Sequence, residues 1–481
     1  MSMHDQPTRT VDVAIIGAGT AGLSALREVR RHTDDFVIIN AGPYGTTCAR
    51  NGCMPSKTLI EAARAFHGRH RFASMGIRNG DRLSVDVDAV LRHVRELRDD
   101  FVSGVLKLTA DLGDRNIAGT ARFVAPQTLE VDGVRITARR IIVATGSRPV
   151  VPPAWKDLGD RVMTSDDLFE QPTLPKRVAV IGLGGVGAEM AQALARLGIE
   201  VSGFTAAAHV AGITDPEVGR HAVTALESEF AVHLGAKAEL HASGDGVEVR
   251  AGETRVVVDR VLAALGRRPN LGELALERAG VALGDKGLPE FDPNTMQITG
   301  HPIFIAGDAN GARALLHEAT DEGYIAGYNA TRESAEYFRR RTPLAIVFTD
   351  PDIAVVGRRF SSIVTEHEAG RIVVGAFEFE HQGRARMSGR NHGLVRVYAT
   401  REDGRLLGAE MCAPDGEHLA HLLAWAVQAG MTARDLLRMP VYHPVVEEGL
   451  RAALRDVSKQ TGPARRHDLE ACGALGCSAL D

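Results

Sequence analysis

The sequence predicts an α/β protein built from two Rossmann-like dinucleotide-binding units and a C-terminal α+β domain. Three observations carry this prediction. The apolar run Val11–Ile16 leads into Gly17-Ala-Gly-Thr-Ala-Gly22. A second apolar run ending at Ile181 leads into Gly182-Leu-Gly-Gly-Val-Gly187. From about Thr342 the pattern changes to short strands followed by a helix.

Taken in order, the first unit opens with a buried strand, a glycine turn and a helix-like stretch, and a second apolar run, Phe36–Ile39, follows at Rossmann spacing. Gly17, Gly19 and Gly22 let the backbone approach a pyrophosphate, whose charge the following helix N-terminus stabilises. Asn40 stands where a Rossmann strand usually ends in a ribose-binding acid. Val90, Leu91, Val94, Leu97, Phe101 and Val105 recur at helical spacing and predict a long amphipathic helix packed on a core. Proline-rich punctuation at Arg148–Pro153 and Gln171–Lys176 marks crossings between domains.

The second unit repeats the design with Gly182, Gly184 and Gly187, followed by Ile199–Phe204. Thr205 occupies its strand-end position, with no acid for NAD and no cation for a 2′-phosphate beside it. NAD is therefore expected, and NADP is possible through His209 or Arg220. Ile303–Ala309 reads as a strand ending at an acid that returns the chain to the first unit. The expected organisation is a first unit over 1–150, a second over 151–270, a return segment over 271–341, a third domain over 342–460 and a tail over 461–481.

Composition bounds the function. The net charge is -5 with the two signs interspersed, so neither a nucleic acid nor a membrane surface is an expected partner. No apolar run is long enough to span a bilayer and no signal-peptide pattern opens the chain, so a cytoplasmic location is expected. Five cysteines in 481 residues make no disulfide scaffold, and closely spaced pairs point to catalysis or metal binding.

One such pair is Cys48 and Cys53, in Gly45-Thr-Thr-Cys-Ala-Arg-Asn-Gly-Cys-Met-Pro-Ser-Lys57. A five-residue step along a regular helix advances about 7.5 Å, and disulfide Cα atoms lie within about 7 Å. A bond here would need a distorted first turn, which Gly52 eases. Zinc would need two further ligands and a more usual spacing. Inert buried thiols are the remaining alternative.

The stretch Cys48–Lys57 closely resembles the signature of the flavin-dependent pyridine nucleotide–disulfide oxidoreductases. Ala144-Thr-Gly146, Gly266-Arg-Arg-Pro-Asn270, Ala306-Gly-Asp308 and His443-Pro-Val-Val-Glu-Glu448 resemble the same family, in its order, from residue 11 to about 450. The resemblance is strongest to its dihydrolipoyl dehydrogenase branch. It implies FAD at Gly17, Gly19, Gly22, Asn40, Thr145, Gly146 and Asp308, with Leu316 and His317 opening a helix beneath the flavin. The nicotinamide nucleotide falls at Gly182, Gly184, Gly187, Thr205 and Gly266. It further implies a redox pair with Cys48 toward substrate and Cys53 toward flavin, and Lys57 paired with Glu189. His443 becomes a general base oriented by Glu448 and working across a homodimer. No metal site is expected; Cys412 and Glu417-His-Leu-Ala-His421 read as structural.

The implied activity is oxidation of a dithiol, such as a lipoyl carrier protein, with hydride transfer to NAD(P)+. The tail departs from that branch: Cys472 and Cys477 repeat the spacing of the first pair and form a possible second redox pair. The alternative is thus a disulfide reductase that relays electrons through the tail. Mercuric-reductase-like and non-catalytic flavoprotein readings stand behind it.

Overall fold

The computed structural model of the chain describes residues 8–366 and 370–461. In the first unit the strands Asn116–Ala118, Phe36–Asn40, Thr8–Ile16, Val134–Val143 and Ile303–Ile305 lie side by side, all parallel. Val13, Ala14 and Ile15 are fully buried, as are Phe36 to Ile39. That continuous burial is what a parallel sheet covered on both faces demands. Thr128–Val131 extends the sheet antiparallel, against the N-terminal end of Val134–Val143.

The second unit has the parallel order Ala231–Leu234, Glu200–Thr205, Arg177–Ile181, Arg260–Ala263, Val162–Thr164. An antiparallel meander, Glu239–Ser243, Gly246–Ala251 and Thr254–Val258, buries Val247 and Val249 with Ala179 and Ile181. The chain passes between the two units twice, and the passages Ser147–Pro149 and Arg267–Pro269 pair with each other.

The C-terminal unit is an antiparallel sheet in the order Leu344–Val347, Asp352–Gly357, Leu406–Ala413, Leu394–Thr400, Ile372–Glu378. The helices Gly416–Gln428 and Glu447–Gln460 pack their apolar faces on it, sharing one core with Val397 and Met411.

The amphipathic helix spans Val87–Ala110, but only its first half packs as expected. Leu91 and Val94 are fully buried, and Val94 shares a cluster with Leu59 and Phe169. Phe101, Leu106 and Leu108 are 40%, 46% and 39% exposed. Periodicity shows a shared face but does not say which part of it the same chain covers. No helix among the described residues is long and apolar enough to cross a membrane.

Candidate active site

The cysteine pair sits on two helices instead of one distorted turn. Thr46 caps the short helix Thr47–Asn51, its hydroxyl accepting Ala49 N at 3.2 Å. The chain then breaks at Gly52. A Cβ there would lie 2.8 Å from Thr47 O, closer than side chains come to a backbone oxygen, and 3.2 Å from the Cys48 Cα. That close approach brings the two cysteines together and lets a second helix, Cys53–His67, begin beside the first. Cys53 is its first residue, where amide dipoles favour negative charge.

Both thiols are free, Cys48 half-buried and Cys53 exposed. A hydrogen bond from the Cys48 thiol, helped by the Lys57 charge, holds Cys53 down to about 7 against the opposing effect of desolvation. The same hydrogen bond, with burial, pushes Cys48 well up. The pair is therefore polarised: negative charge is favoured on Cys53 and the proton on Cys48.

Lys57, one helical turn beyond Cys53, reaches into the second unit. Its Nζ lies 2.8 Å from Glu189 Oε2, on the helix Gly185–Arg196. The other Glu189 oxygen accepts Phe348 N at 2.9 Å, and Lys57 Nζ sits 4.5 Å from the centre of the Phe348 ring. All three units thus meet at one ion pair. Phe348 was not a predicted site residue, because nothing in its local sequence shows that it faces Lys57.

The two glycine turns are built alike. A Cβ on Gly17 would lie 2.2 Å from Ala144 O, and one on Gly22 would lie 1.8 Å from Gly17 O. Gly182 and Gly187 meet Ala264 O and Gly182 O at 2.3 and 1.8 Å. Gly19 and Gly184 instead face open space. The outer glycines close the strand–helix packing, and the middle ones leave room for a ligand at a helix N-terminus.

At the first turn Asn40 Oδ1 accepts Ala18 N at 3.1 Å and its amide donates to Gly42 O at 2.6 Å. The Thr145 hydroxyl is buried with no hydrogen-bond partner among the described residues, beside Gly146. A buried orphan hydroxyl next to an open glycine cradle fits a bound dinucleotide. Asp308 accepts the Ser147 hydroxyl at 2.5 Å, and Arg267 Nε donates to that hydroxyl at 2.8 Å. Its turn, Gly307–Asn310, is held by the buried Glu322, which accepts Gly307 N at 2.8 Å and Asn310 Nδ2 at 2.7 Å. Neither Ser147 nor Glu322 was read from the sequence; Glu322 is one of three acids in its helix, and nothing local marks it as the one that holds this turn. Leu316 and His317, both exposed, open the helix Leu316–Ala330. At the second turn Thr205 ends its strand and Gly266 O accepts Val150 N at 3.0 Å.

His443 follows a similar logic. Its Nδ1 lies 3.0 Å from Glu448 Oε1, and Glu448 Oε2 accepts Val445 N at 3.3 Å. The bond to His443 holds the Glu448 carboxyl below its ordinary range. His443 is 80% exposed and, among the described residues, forms no hydrogen bond or ion pair with Cys48, Cys53 or Lys57. Cys472 and Cys477 lie outside the described residues. A cavity of about 950 Å³, lined by Arg64, His67, Arg196 and Asp350, also takes in Arg220 and Glu417 but none of the cysteines, glycine turns or His443. Among the described residues no group of three or more His, Cys, Asp or Glu is placed to hold a metal ion.

Comparison with known proteins agrees with this layout. Residues 11–323 match the pyridine nucleotide-disulphide oxidoreductase family, and residues 344–454 match its dimerisation domain. Dihydrolipoyl dehydrogenase 3 of Haloarcula marismortui is 28% identical over 94% of this chain and 98% of its own length. The Halobacterium salinarum dihydrolipoyl dehydrogenase is 32% identical over 93% and 96%. Among solved structures, LpdA from Mycobacterium tuberculosis superposes with a TM-score of 0.80 at 27% identity, covering 92% of this chain and 99% of that one. The HOCl-induced flavoprotein disulfide reductase of Escherichia coli, solved as a Cu(II) complex, superposes at 0.81 with 23% identity over 93% and 99%. The chain belongs to the pyridine nucleotide-disulphide oxidoreductases, as an FAD-dependent enzyme carrying the family's dimerisation domain.

Proposed function

We propose that the chain is a dihydrolipoyl dehydrogenase, oxidising a protein-bound dithiol through Cys48 and Cys53 with NAD+ as the acceptor. The His443–Glu448 contact at 3.0 Å carries this reading. Dithiol oxidation needs a base that takes a thiol proton, and a carboxylate-oriented imidazole is suited to that task. The Haloarcula and Halobacterium relatives bear the same name.

Gly17, Gly19, Gly22, Asn40, Thr145, Gly146 and Asp308 would hold FAD, over the helix that Leu316 and His317 open. Gly182, Gly184, Gly187, Thr205 and Gly266 would hold the nucleotide. NADP would need a cation that reaches the Thr205 strand end from elsewhere. When bound, FAD supplies the two-electron acceptor that couples thiol chemistry to hydride transfer.

The protein's own groups perform the exchange. Across a homodimer, His443 of the partner subunit takes a proton from the substrate dithiol. The resulting thiolate attacks Cys48 Sγ, the Cys48–Cys53 bond breaks, and Cys53 leaves as a thiolate. The second substrate sulfur displaces Cys48 and passes its proton to that sulfur. The substrate loses two electrons, and the pair gains two as thiol Cys48 and thiolate Cys53. That is the protonation pattern the hydrogen bond between them favours. Lys57 and Glu189 hold the neighbouring charge. Turnover of a free pair belongs in a reducing compartment, the cytoplasm.

Steady-state assay of dihydrolipoamide with NAD+ and with NADP+, beside a Cys48→Ser control, tests the reading. Turnover that the substitution abolishes is expected, and no turnover with either nucleotide ends it. A second reading, reduction of a disulfide through a tail relay, draws on Cys472 and Cys477 and on the disulfide reductase likeness. Deleting residues 471–481 separates the two: lipoamide turnover survives in the first, and disulfide reduction is lost in the second.

A further inference from the structure

The second nucleotide unit has no cation of its own at the strand end, since Thr205 is followed by Ala206, Ala207 and Ala208. The tertiary structure brings one to the loop that follows it, at Gly212. After Thr205 the chain folds back, Ala207 N donating to the Thr205 hydroxyl at 3.3 Å. Ala211 N then donates to Leu183 O at 2.7 Å, which lays this loop against the glycine turn.

The C-terminal domain docks on the same segment through one buried carboxylate. Glu410, 0% exposed, accepts Thr214 N at 2.7 Å, the Thr214 hydroxyl at 2.6 Å, Asp215 N at 2.9 Å and Phe360 N at 2.9 Å. Ser361 N adds a bond to the Thr214 hydroxyl at 3.2 Å. A buried charge satisfied by four donors from two domains resists displacement. It places Arg359, the residue before Phe360, at the loop: a Cβ on Gly212 would lie 4.0 Å from Arg359 Nη2.

Arg359 is exposed and makes no ion pair among the described residues. The acid of the segment, Asp215, is already engaged by Arg396 at 2.9 Å and by the Tyr398 hydroxyl at 2.9 Å. Arg220, which with His209 was a possible local cation in the sequence, is held by Glu217 on its own helix. A guanidinium is permanently charged, and its planar donor fork suits a phosphate.

We propose that Arg359 is the 2′-phosphate contact of the second nucleotide unit, supplied by the C-terminal domain, and that it admits NADP alongside NAD. The proposal rests on the reading that this unit holds a nicotinamide nucleotide. Calorimetric titration of the full-length, flavin-loaded protein with adenosine 2′,5′-bisphosphate and with ADP tests both. Arg359→Ala should weaken the bisphosphate at least tenfold and change ADP less than twofold, with Arg359→Lys falling between. The bisphosphate affinity of the wild type should also drop more steeply with salt than that of ADP. Equal bisphosphate binding by wild type and Arg359→Ala overturns the contact. A wild type that binds no ADP overturns the nucleotide reading itself, and the proposal with it.

Discussion

Lys57 Nζ and Glu189 Oε2 lie 2.8 Å apart although 132 residues separate them. The bond ties the helix that begins at Cys53 to the helix that begins at the second glycine turn, with Glu189 7% exposed. Lys57→Met should remove a charge that lowers the Cys53 titration and leave Glu189 without its ion pair. The Cys53 thiolate should then titrate above about 7. Iodoacetamide alkylation of the reduced protein against pH reads this directly, and an unmoved curve would sink the coupling.

The hydrogen bond from Cys48 is the larger influence on Cys53. Cys48→Ala deletes that donor, whereas Cys48→Ser keeps a hydroxyl in its place. Cys53 in the alanine variant should move from about 7 toward its ordinary value near 9, and in the serine variant by less. Since the shift is upward, the loss of reactivity is greatest below pH 7 and vanishes above pH 9. Thiolate absorbance at 240 nm during a pH titration distinguishes the two, and identical curves would remove the hydrogen bond as the cause.

His443 has no polar link to the thiols of its own chain among the described residues, so shared active sites make a specific prediction. Neither Cys48→Ser nor His443→Ala homodimers should turn over dihydrolipoamide at more than about 1% of wild type, given the roughly 10²–10⁴-fold worth of a general base. Mixed heterodimers should recover activity, because one of their two sites combines an intact Cys48 with an intact His443. Heterodimers as inactive as their parents would place both residues in one chain's site.

The glycine turns separate folding from binding. Gly22→Ala places a Cβ 1.8 Å from Gly17 O and should prevent the first unit from folding. Gly19→Ala meets nothing within 4 Å, so the chain should fold, yet it should lose FAD because the methyl enters the ligand's space. Circular dichroism and the flavin-to-protein absorbance ratio of the purified variants decide this. Normal flavin content in Gly19→Ala would count against the cradle.

Glu322 holds the turn that carries Asp308 through Gly307 N and Asn310 Nδ2, and its other oxygen meets Arg340 at 3.0 Å. Glu322→Gln keeps the shape but leaves Arg340 with one carboxylate fewer. Flavin release on dilution should quicken and the melting temperature should fall by several degrees, since breaking a buried pair costs about 3–5 kcal/mol. Unchanged flavin retention would confine Glu322 to a packing role.

Much of this protein was legible in order along the chain. The two glycine turns, their flanking strands and the cysteine spacing are local patterns, and local patterns survive in sequence because backbone sterics and hydrogen-bond geometry act over a few residues. Val13–Ile15 and Phe36–Ile39 read as buried strands for that reason. The second half of the helix Val87–Ala110 did not, because its apolar face matched the pattern while Phe101, Leu106 and Leu108 stay exposed among the described residues.

Across longer separations the sequence by itself determined which groups exist, and the tertiary structure decided which of them meet. Cys48, Cys53 and the glycine loops were determined by short motifs. The hold of Glu322 on the Asp308 turn was decided by packing within the first unit, and the Phe348 ring over Lys57 and the delivery of Arg359 to Gly212 only when the domains docked. The contacts that carry this are buried carboxylates, Glu189 and Glu410 between domains and Glu322 within the first unit, whose partners lie far away in sequence or in another element. A carboxylate carries no sign of its partner along the chain. Its cost of burial is offset only once packing brings the donors within hydrogen-bond reach.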